Sequence, residues 1–319
     1  MQLVAISLDD IWDSLQDPQR LRKYCTHLEA GDVLYFPQTP IRFGPGDLEF
    51  LLNQKQVGAG YRKNIAYKPS EDRVTGFVAQ SPETGERLRG IMRKYSRDVV
   101  EFLGKFLAPY ESRWQLDYAS FRPQEEQGRD LSTRKRNDLL HTDAFPTRPT
   151  HGDRILRFFN NINPARSREW VTTESFDALA KQFAASREVA GKNKIPLPES
   201  VERRGLARAV ASTAKSMGLS HIAPALVRPP YDDFMLRFHH FLKENAEFQR
   251  DCPKRRWSFP PGSSWMVYTD MVSHAVLSGQ YALEQTFLVS KEAMVTPERA
   301  PINVLRELVS KAAVGRHSE

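Results

Sequence analysis

Cysteine is nearly absent from this 319-residue chain: only Cys25 and Cys252 occur, far apart and without a CxxC partner. That excludes a disulfide scaffold and a thiolate zinc site, so any bound metal must be held by histidine and carboxylate. Also missing is any uninterrupted apolar run near the roughly 18 residues of a membrane-spanning helix. The stretch Met1–Asp10 has neither the basic start nor the long apolar core of a secretion signal, so a cytoplasmic protein is expected. Internal repeats and low-complexity tracts are lacking as well. With 40% hydrophobic and 10% aromatic residues, the chain has enough apolar side chain to build a core.

Charge is unbalanced. The net value is +7, with basic clusters at Arg134-Lys135-Arg136, Arg203-Arg204 and Lys254-Arg255-Arg256. The surplus favours an anionic partner, whether a nucleic acid, an acidic membrane face or a substrate bearing carboxylates and phosphates. The regular aromatic–basic interleaving of a nucleotide-stacking platform is not found, so nucleic acid is not expected.

The first 30 residues carry a helical pattern, and Gly31-Asp32 leads into a short strand at Val33–Phe36. Ser81-Pro82 has the form of an N-cap followed by proline at the first helical position. Leu88, Ile91, Met92, Tyr95, Val99, Leu103 and Phe106 then recur at helical spacing, predicting an amphipathic helix over about 82–107 along the outside of a sheet. From Trp114 to Asn163 the texture is that of strands, including Trp114–Phe121 and Ile155–Ile162. Residues 174–256 read as a helical insertion, a candidate substrate lid or buttress. Strands return at Trp265–Met-Val-Tyr268 and Tyr281–Val289. The expected fold is α+β and a single domain over 1–319: helices and short strands in 1–110, barrel strands in 111–173 and 257–290, and the insertion between. The core is predicted to be a double-stranded β-helix, or jelly roll, with flanking helices.

A facial set of two histidines and one carboxylate suits iron(II) and leaves positions open for further ligands. Two HxD pairs occur, His141-Thr-Asp143 and His151-Gly-Asp153. The first ends an apolar run, Leu139-Leu140, as a barrel strand would place it. The second lies in a turn-like stretch, which makes His151 a surface histidine. His274, after the Pro260-Pro-Gly262 turn, completes a His141, Asp143, His274 triad. His239 and His240 are adjacent on a helix and diverge by about 100°, so they are read as packing or surface residues.

The order HxD, strand with asparagine, Pro-Pro-Gly, strand, histidine and closing strand resembles the iron/2-oxoglutarate dioxygenase superfamily. More narrowly, Ser120–Pro123, His141–Phe145, Arg154–Pro164 and Ser273–Gln285 resemble the Kdo hydroxylases, over about residues 30–290. The resemblance implies Fe(II), 2-oxoglutarate as cosubstrate and O2. It also implies 3-hydroxylation of Kdo in Kdo-lipid A, an anionic glycolipid of lipopolysaccharide, with succinate and CO2 as coproducts. Peripheral contact with the cytoplasmic face of the inner membrane follows from such a substrate. Many superfamily members carry an arginine a few residues past the distal histidine; Gly279-Gln280-Tyr281 stands here instead. The cation for the far carboxylate of 2-oxoglutarate is therefore assigned first to Arg157 and second to Arg122, which is alternatively the partner of the sugar carboxylate, with Asn161 and Gln285 as neutral donors. Arg154, at its strand's start, is expected to stay solvated. The alternatives are the same iron chemistry on a protein or nucleic acid, or an inactive jelly roll that binds an anionic ligand.

Overall fold

The computed structural model describes residues 1–54, 64–183, 195–201 and 228–315. The basic pair Arg203-Arg204 and the middle of the helical insertion lie outside the described residues.

The strands are β1 (Leu3–Ala5), β2 (Val33–Phe36), β3 (Ile65–Lys68), β4 (Arg73–Thr75), β5 (Trp114–Arg122) and β6 (Arg154–Asn161). They continue with β7 (Arg168–Ser175), β8 (Arg255–Phe259), β9 (Ser264–Tyr268), β10 (Val272–Ser278) and β11 (Ala282–Val289). Eight of them form one sheet in the order β1-β2-β9-β6-β11-β5-β3-β4, and three form a second in the order β10-β7-β8. His141 adds an antiparallel bridge to β10, extending the small sheet by one short segment. From β5 onward the chain passes between the two sheets: β5 large, His141 small, β6 large, β7 and β8 small, β9 large, β10 small, β11 large. That alternation is the expected double-stranded β-helix. The N-terminal strands extend the large sheet at both ends.

The helices are α1 (Leu8–Ser14), α2 (Pro18–Glu29), α3 (Asp47–Leu52), α4 (Pro82–Phe106), α5 (Phe176–Phe183), α6 (Pro230–Glu244), α7 (Ala246–Asp251) and α8 (Pro301–Gly315). The longest, α4, begins where the sequence predicts: the Ser81 side chain accepts from the Thr84 amide and proline follows at the first helical position. Its predicted apolar face is buried throughout. Phe102 meets Phe36 and Phe158 at ring separations of 5.7 and 5.9 Å, and the Tyr95 hydroxyl donates to Asn160 Oδ1 at 2.8 Å. Helix α4 thus covers the outer face of the large sheet.

Strand alternation sends the other side chains of the same strands inward. Between the sheets Phe159 stacks on Trp265 at 5.1 Å, Trp265 on Phe259 at 4.0 Å, and Trp170 meets Trp265 edge-on at 5.6 Å. This aromatic block holds the sheets apart at one end, and polar groups take over toward the other.

Arg154 departs from its solvated expectation. It is fully buried, pairs through Nε with Asp270 Oδ2 at 2.7 Å, and lies 4.2 Å over the Tyr268 ring. The pair ties the start of β6 to the turn between β9 and β10, the turn that delivers His274. Breaking a buried pair from one side leaves an uncompensated charge. We therefore expect Asp270→Ala to cost about 3–5 kcal/mol in denaturant unfolding. The apolar double replacement Arg154→Met/Asp270→Leu should cost clearly less than the single change.

Candidate metal centre

His141 belongs to no full strand, yet its backbone exchanges two hydrogen bonds with His274 of β10, at 3.1 and 2.9 Å. Directly opposed residues in an antiparallel pair project their side chains to the same face. The two imidazole rings accordingly lie 4.8 Å apart. Asp143 follows two residues later, its amide donating to the Thr269 carbonyl at 2.7 Å and its Oδ1 lying 3.6 Å from His141 Nε2.

The ring orientations are fixed. His141 Nδ1 lies 2.6 Å from the Leu139 carbonyl, and His274 Nδ1 lies 2.9 Å from the Val272 carbonyl. A carbonyl oxygen only accepts, so each Nδ1 carries the proton and each Nε2 keeps a lone pair. The His274 ring also stacks on Trp170 at 5.2 Å.

His239 of α6 packs against the centre. It diverges from His240 as expected, but its Nδ1 donates to the Thr142 carbonyl at 2.7 Å and its ring meets His141 edge-on at 4.9 Å. One ligand atom each from His141, Asp143 and His239 lie within 4.8 Å of one another. The centre therefore gathers three imidazoles and a carboxylate. His151 is exposed in a left-handed turn, φ 55°, apart from this cluster.

The protonation states suit metal binding. Burial pushes His141 down to about 3 and also lowers His274 and His239, so all three are neutral near pH 7. Burial pushes Asp143 up, but the charge of Arg157 beside it outweighs this and holds the carboxyl well below its ordinary range. Neutral imidazoles with one ionised carboxylate are the donor set of non-haem iron(II), and these residues fit that ion.

A chain of buried charges leads away from the centre. Arg157 Nε lies 2.9 Å from Asp143 Oδ2, without the alignment of a hydrogen bond, and its Nη1 pairs with Glu284. Glu284 also takes Arg122, at 2.5 Å from Nη2 and 3.0 Å from Nε. Arg122 approaches Glu126 at 3.6 Å, and Glu126 meets Arg168 at 3.4 Å. Arg168 also donates to the Gly279 carbonyl at 2.9 Å, and a Cβ at Gly279, φ 127°, would come within 2.8 Å of its side chain. Arg168 of β7 thus occupies the space beside Gly279. Burial pushes Arg168 down to about 10, against the opposing pull of Glu126.

Arg157, Arg122 and Glu284 form the inner wall of a cleft of about 470 Å³, whose mouth carries Asn64, Lys68, Arg73, Tyr118, Phe145 and Arg148. A larger surface groove of about 920 Å³, between α2, the end of α4 and residues 292–295, holds none of these groups. Asn161 and Gln285 do not line the cleft. Asn161 donates to the Arg166 and Phe259 carbonyls, both at 2.9 Å, and accepts from the Asn163 amide, shaping the turn after β6. Gln285 pairs in register with Phe158, on the sheet face that α4 covers, and donates to the Asp117 carbonyl at 2.9 Å.

The model of the 3-deoxy-D-manno-oct-2-ulosonic acid (Kdo) hydroxylase family matches residues 11–312. Among solved structures, the chain is similar to the Kdo hydroxylase KdoO, a non-heme Fe(II) alphaketoglutarate dependent dioxygenase. The form in complex with alphaketoglutarate and Fe(III) is 30% identical, with a TM-score of 0.75 over 97% of this chain and 96% of that one. The apo form is 32% identical, with a TM-score of 0.75 over 98% and 97%. The cobalt(II) complex is 31% identical, with a TM-score of 0.76 over 97% and 96%. No curated protein sequence matches the chain.

Because the imidazoles already lack the proton that a metal would displace, cobalt(II) binding at pH 7 should release almost none. Calorimetric titrations in two buffers of different ionisation enthalpy are expected to give the same observed heat. The metal-free protein should also lose stability as pH falls below the ordinary histidine value of 6.5, because unfolded imidazoles then take up protons that His141 in the folded chain refuses. Urea midpoints measured from pH 8 to 5 check this.

Proposed function

The chain belongs to the Kdo hydroxylase family of Fe(II)/2-oxoglutarate-dependent dioxygenases, and from that premise we propose that His141, Asp143 and His274 hold the iron for 3-hydroxylation of Kdo in Kdo-lipid A. The observation that carries the ligand assignment is the paired backbone bridge that sets His141 and His274 on one face, with Asp143 beside them and an arginine-lined cleft alongside. When bound, iron(II) with 2-oxoglutarate and O2 supplies the oxidising chemistry, converting the keto acid to succinate and CO2 as one oxygen atom enters the substrate C–H bond.

The protein's own residues bind, orient and exclude. The Nδ1–H bonds to Leu139 and Val272 lock both ligand rings with Nε2 forward. Arg157, whose buried Nε has no aligned acceptor, is the first candidate for the far carboxylate of 2-oxoglutarate, and Arg122 the second. The apolar wall of Trp170, stacked on His274, keeps water from that side of the centre. The net charge of +7 supports an anionic glycolipid presented at the cytoplasmic face of the inner membrane, with the chain docking there peripherally. Among the described residues no helix is long and apolar enough to cross a membrane.

One observation favours a second ligand assignment. His239, not His274, completes the tight cluster with His141 and Asp143. We assign the third position to His274 because it sits on β10, within a hydrogen-bonded sheet, and give His239 the role of supporting the Thr142 backbone.

His141→Ala, Asp143→Ala and His274→Ala are each expected to abolish 2-oxoglutarate decarboxylation and cobalt(II) binding, while His151→Ala leaves both intact. If His239→Ala abolishes metal binding and His274→Ala does not, the third ligand is His239. Arg157→Ala should raise the KM for 2-oxoglutarate about 10- to 100-fold, the worth of a charge-assisted hydrogen bond. An unchanged KM would move the role to Arg122.

A further inference from the structure

The cleft has two tiers of cations, and they differ in kind. The inner arginines, Arg157 and Arg122, are countercharged by Glu284 between them. At the mouth, Arg148 is held differently. Its guanidinium carbon lies 4.4 Å from the Tyr118 ring centre and 4.5 Å from that of Phe145, so the group packs against two aromatic rings. Asp117 engages Nη1, and among the described residues no other hydrogen bond to this guanidinium is found. The side chain is 37% exposed, which leaves its outer edge open to the cleft. Lys68 reaches over the same Tyr118 ring at 5.4 Å, and Arg73 lies beside it; both share Glu71.

Phe145 touches both tiers: Arg157 lies 6.0 Å from its ring centre and Arg148 4.5 Å. Phe145 also follows Asp143 by two residues, so the outer cation is held in fixed relation to the candidate metal centre. A guanidinium already stacked and anchored loses little further freedom on binding, and its planar fork matches a carboxylate. A cleft of about 470 Å³ falls within the size range of small-ligand sites.

We propose that Arg148 is the specificity-determining residue that receives the carboxylate of the sugar-acid substrate at the mouth of the cleft, with Lys68 adding to the local positive potential. The inference rests on the proposed hydroxylation of Kdo and adds which residue reads the substrate's acidic group. Arg157 and Arg122 stay with the cosubstrate, and Arg148 meets the carboxylate of the sugar acid, a group that the hydroxylation leaves unchanged.

The test uses the full-length cobalt-loaded protein with 2-oxoglutarate, titrated with free Kdo, with its methyl ester and with inorganic phosphate. The unsubstituted protein should bind Kdo about 10- to 100-fold more tightly than the ester. Arg148→Gln should bind acid and ester alike, with unchanged affinity for cobalt(II) and 2-oxoglutarate. Arg148→Lys should recover part of the preference. In turnover with iron and Kdo-lipid A, Arg148→Gln should raise the KM for the glycolipid by a similar factor and leave kcat unchanged. Equal Kdo affinity in the unsubstituted protein and Arg148→Gln would overturn the inference while leaving the hydroxylase reading standing. Ester binding as tight as acid, with displacement by phosphate, would overturn the carboxylate assignment in favour of a lipid phosphate. Failure of the unsubstituted protein to bind Kdo, although it binds 2-oxoglutarate, would remove the substrate reading itself.

Discussion

Two backbone hydrogen bonds between His141 and His274 join segments far apart in sequence, and the geometry of the centre depends on them. Antiparallel pairing at that one register places two imidazoles on a common face, and a slip of one residue would send one of them to the opposite face. The register is enforced from several directions. The bonds of β10 to β7 fix His274 opposite Thr172, the buried Arg154–Asp270 pair fixes the turn before it, and Trp170 packs flat on the ring. A centre built this way is rigid before any ion arrives, as precise ligand placement requires.

Charge balance is the second constraint. Asp143, Glu284 and Glu126 alternate with Arg157, Arg122 and Arg168 along the buried interior, with Arg129 approaching Glu126 from a more exposed position. Burying so many ionised groups is tolerable only because each has an opposite neighbour. A divalent cation at Asp143 would upset that balance, and a dianionic keto acid would restore it. With iron at Asp143, the affinities of metal and cosubstrate would be coupled through this charge balance.

Much of this could be read from the sequence because it depended on local pattern. The capped apolar stripe from Pro82 to Phe106 announces α4, and the apolar run before His141 separates the candidate HxD from the turn-bound His151. Alternation in β6 puts Arg157 on the inner face. The small sheet was harder to read, since Arg168–Ser175 is largely polar and its burial arises only from pairing with β8 and β10. Partnerships across the chain were hidden for the same reason. Asp270 makes Arg154 a core residue, Glu284 engages both candidate arginines, and α6 carries His239 to the centre, none of which a single segment reveals. Asn161 and Gln285 had the right chemistry, but the turn after β6 and the face of β11 gave their hydrogen bonds other uses.

Among the described residues the segment carrying His141 and Asp143 makes a single β-bridge to a strand, and helices α6 and α7 make up the difference. Gln249 of α7 accepts from the Leu140 amide at 3.0 Å and donates to the Leu140 carbonyl at 2.9 Å, while His239 of α6 holds the Thr142 carbonyl. The carboxylate of Asp232, at the start of α6, accepts from the amides of Thr150 and His151. Helices α6 and α7 are therefore a splint for the loop that carries the candidate ligands His141 and Asp143. Amide exchange in 139–151 should slow together with that of α6 and α7 when metal binds, as one cooperative unit. Shortening the insertion would weaken metal retention even if every ligand side chain were kept.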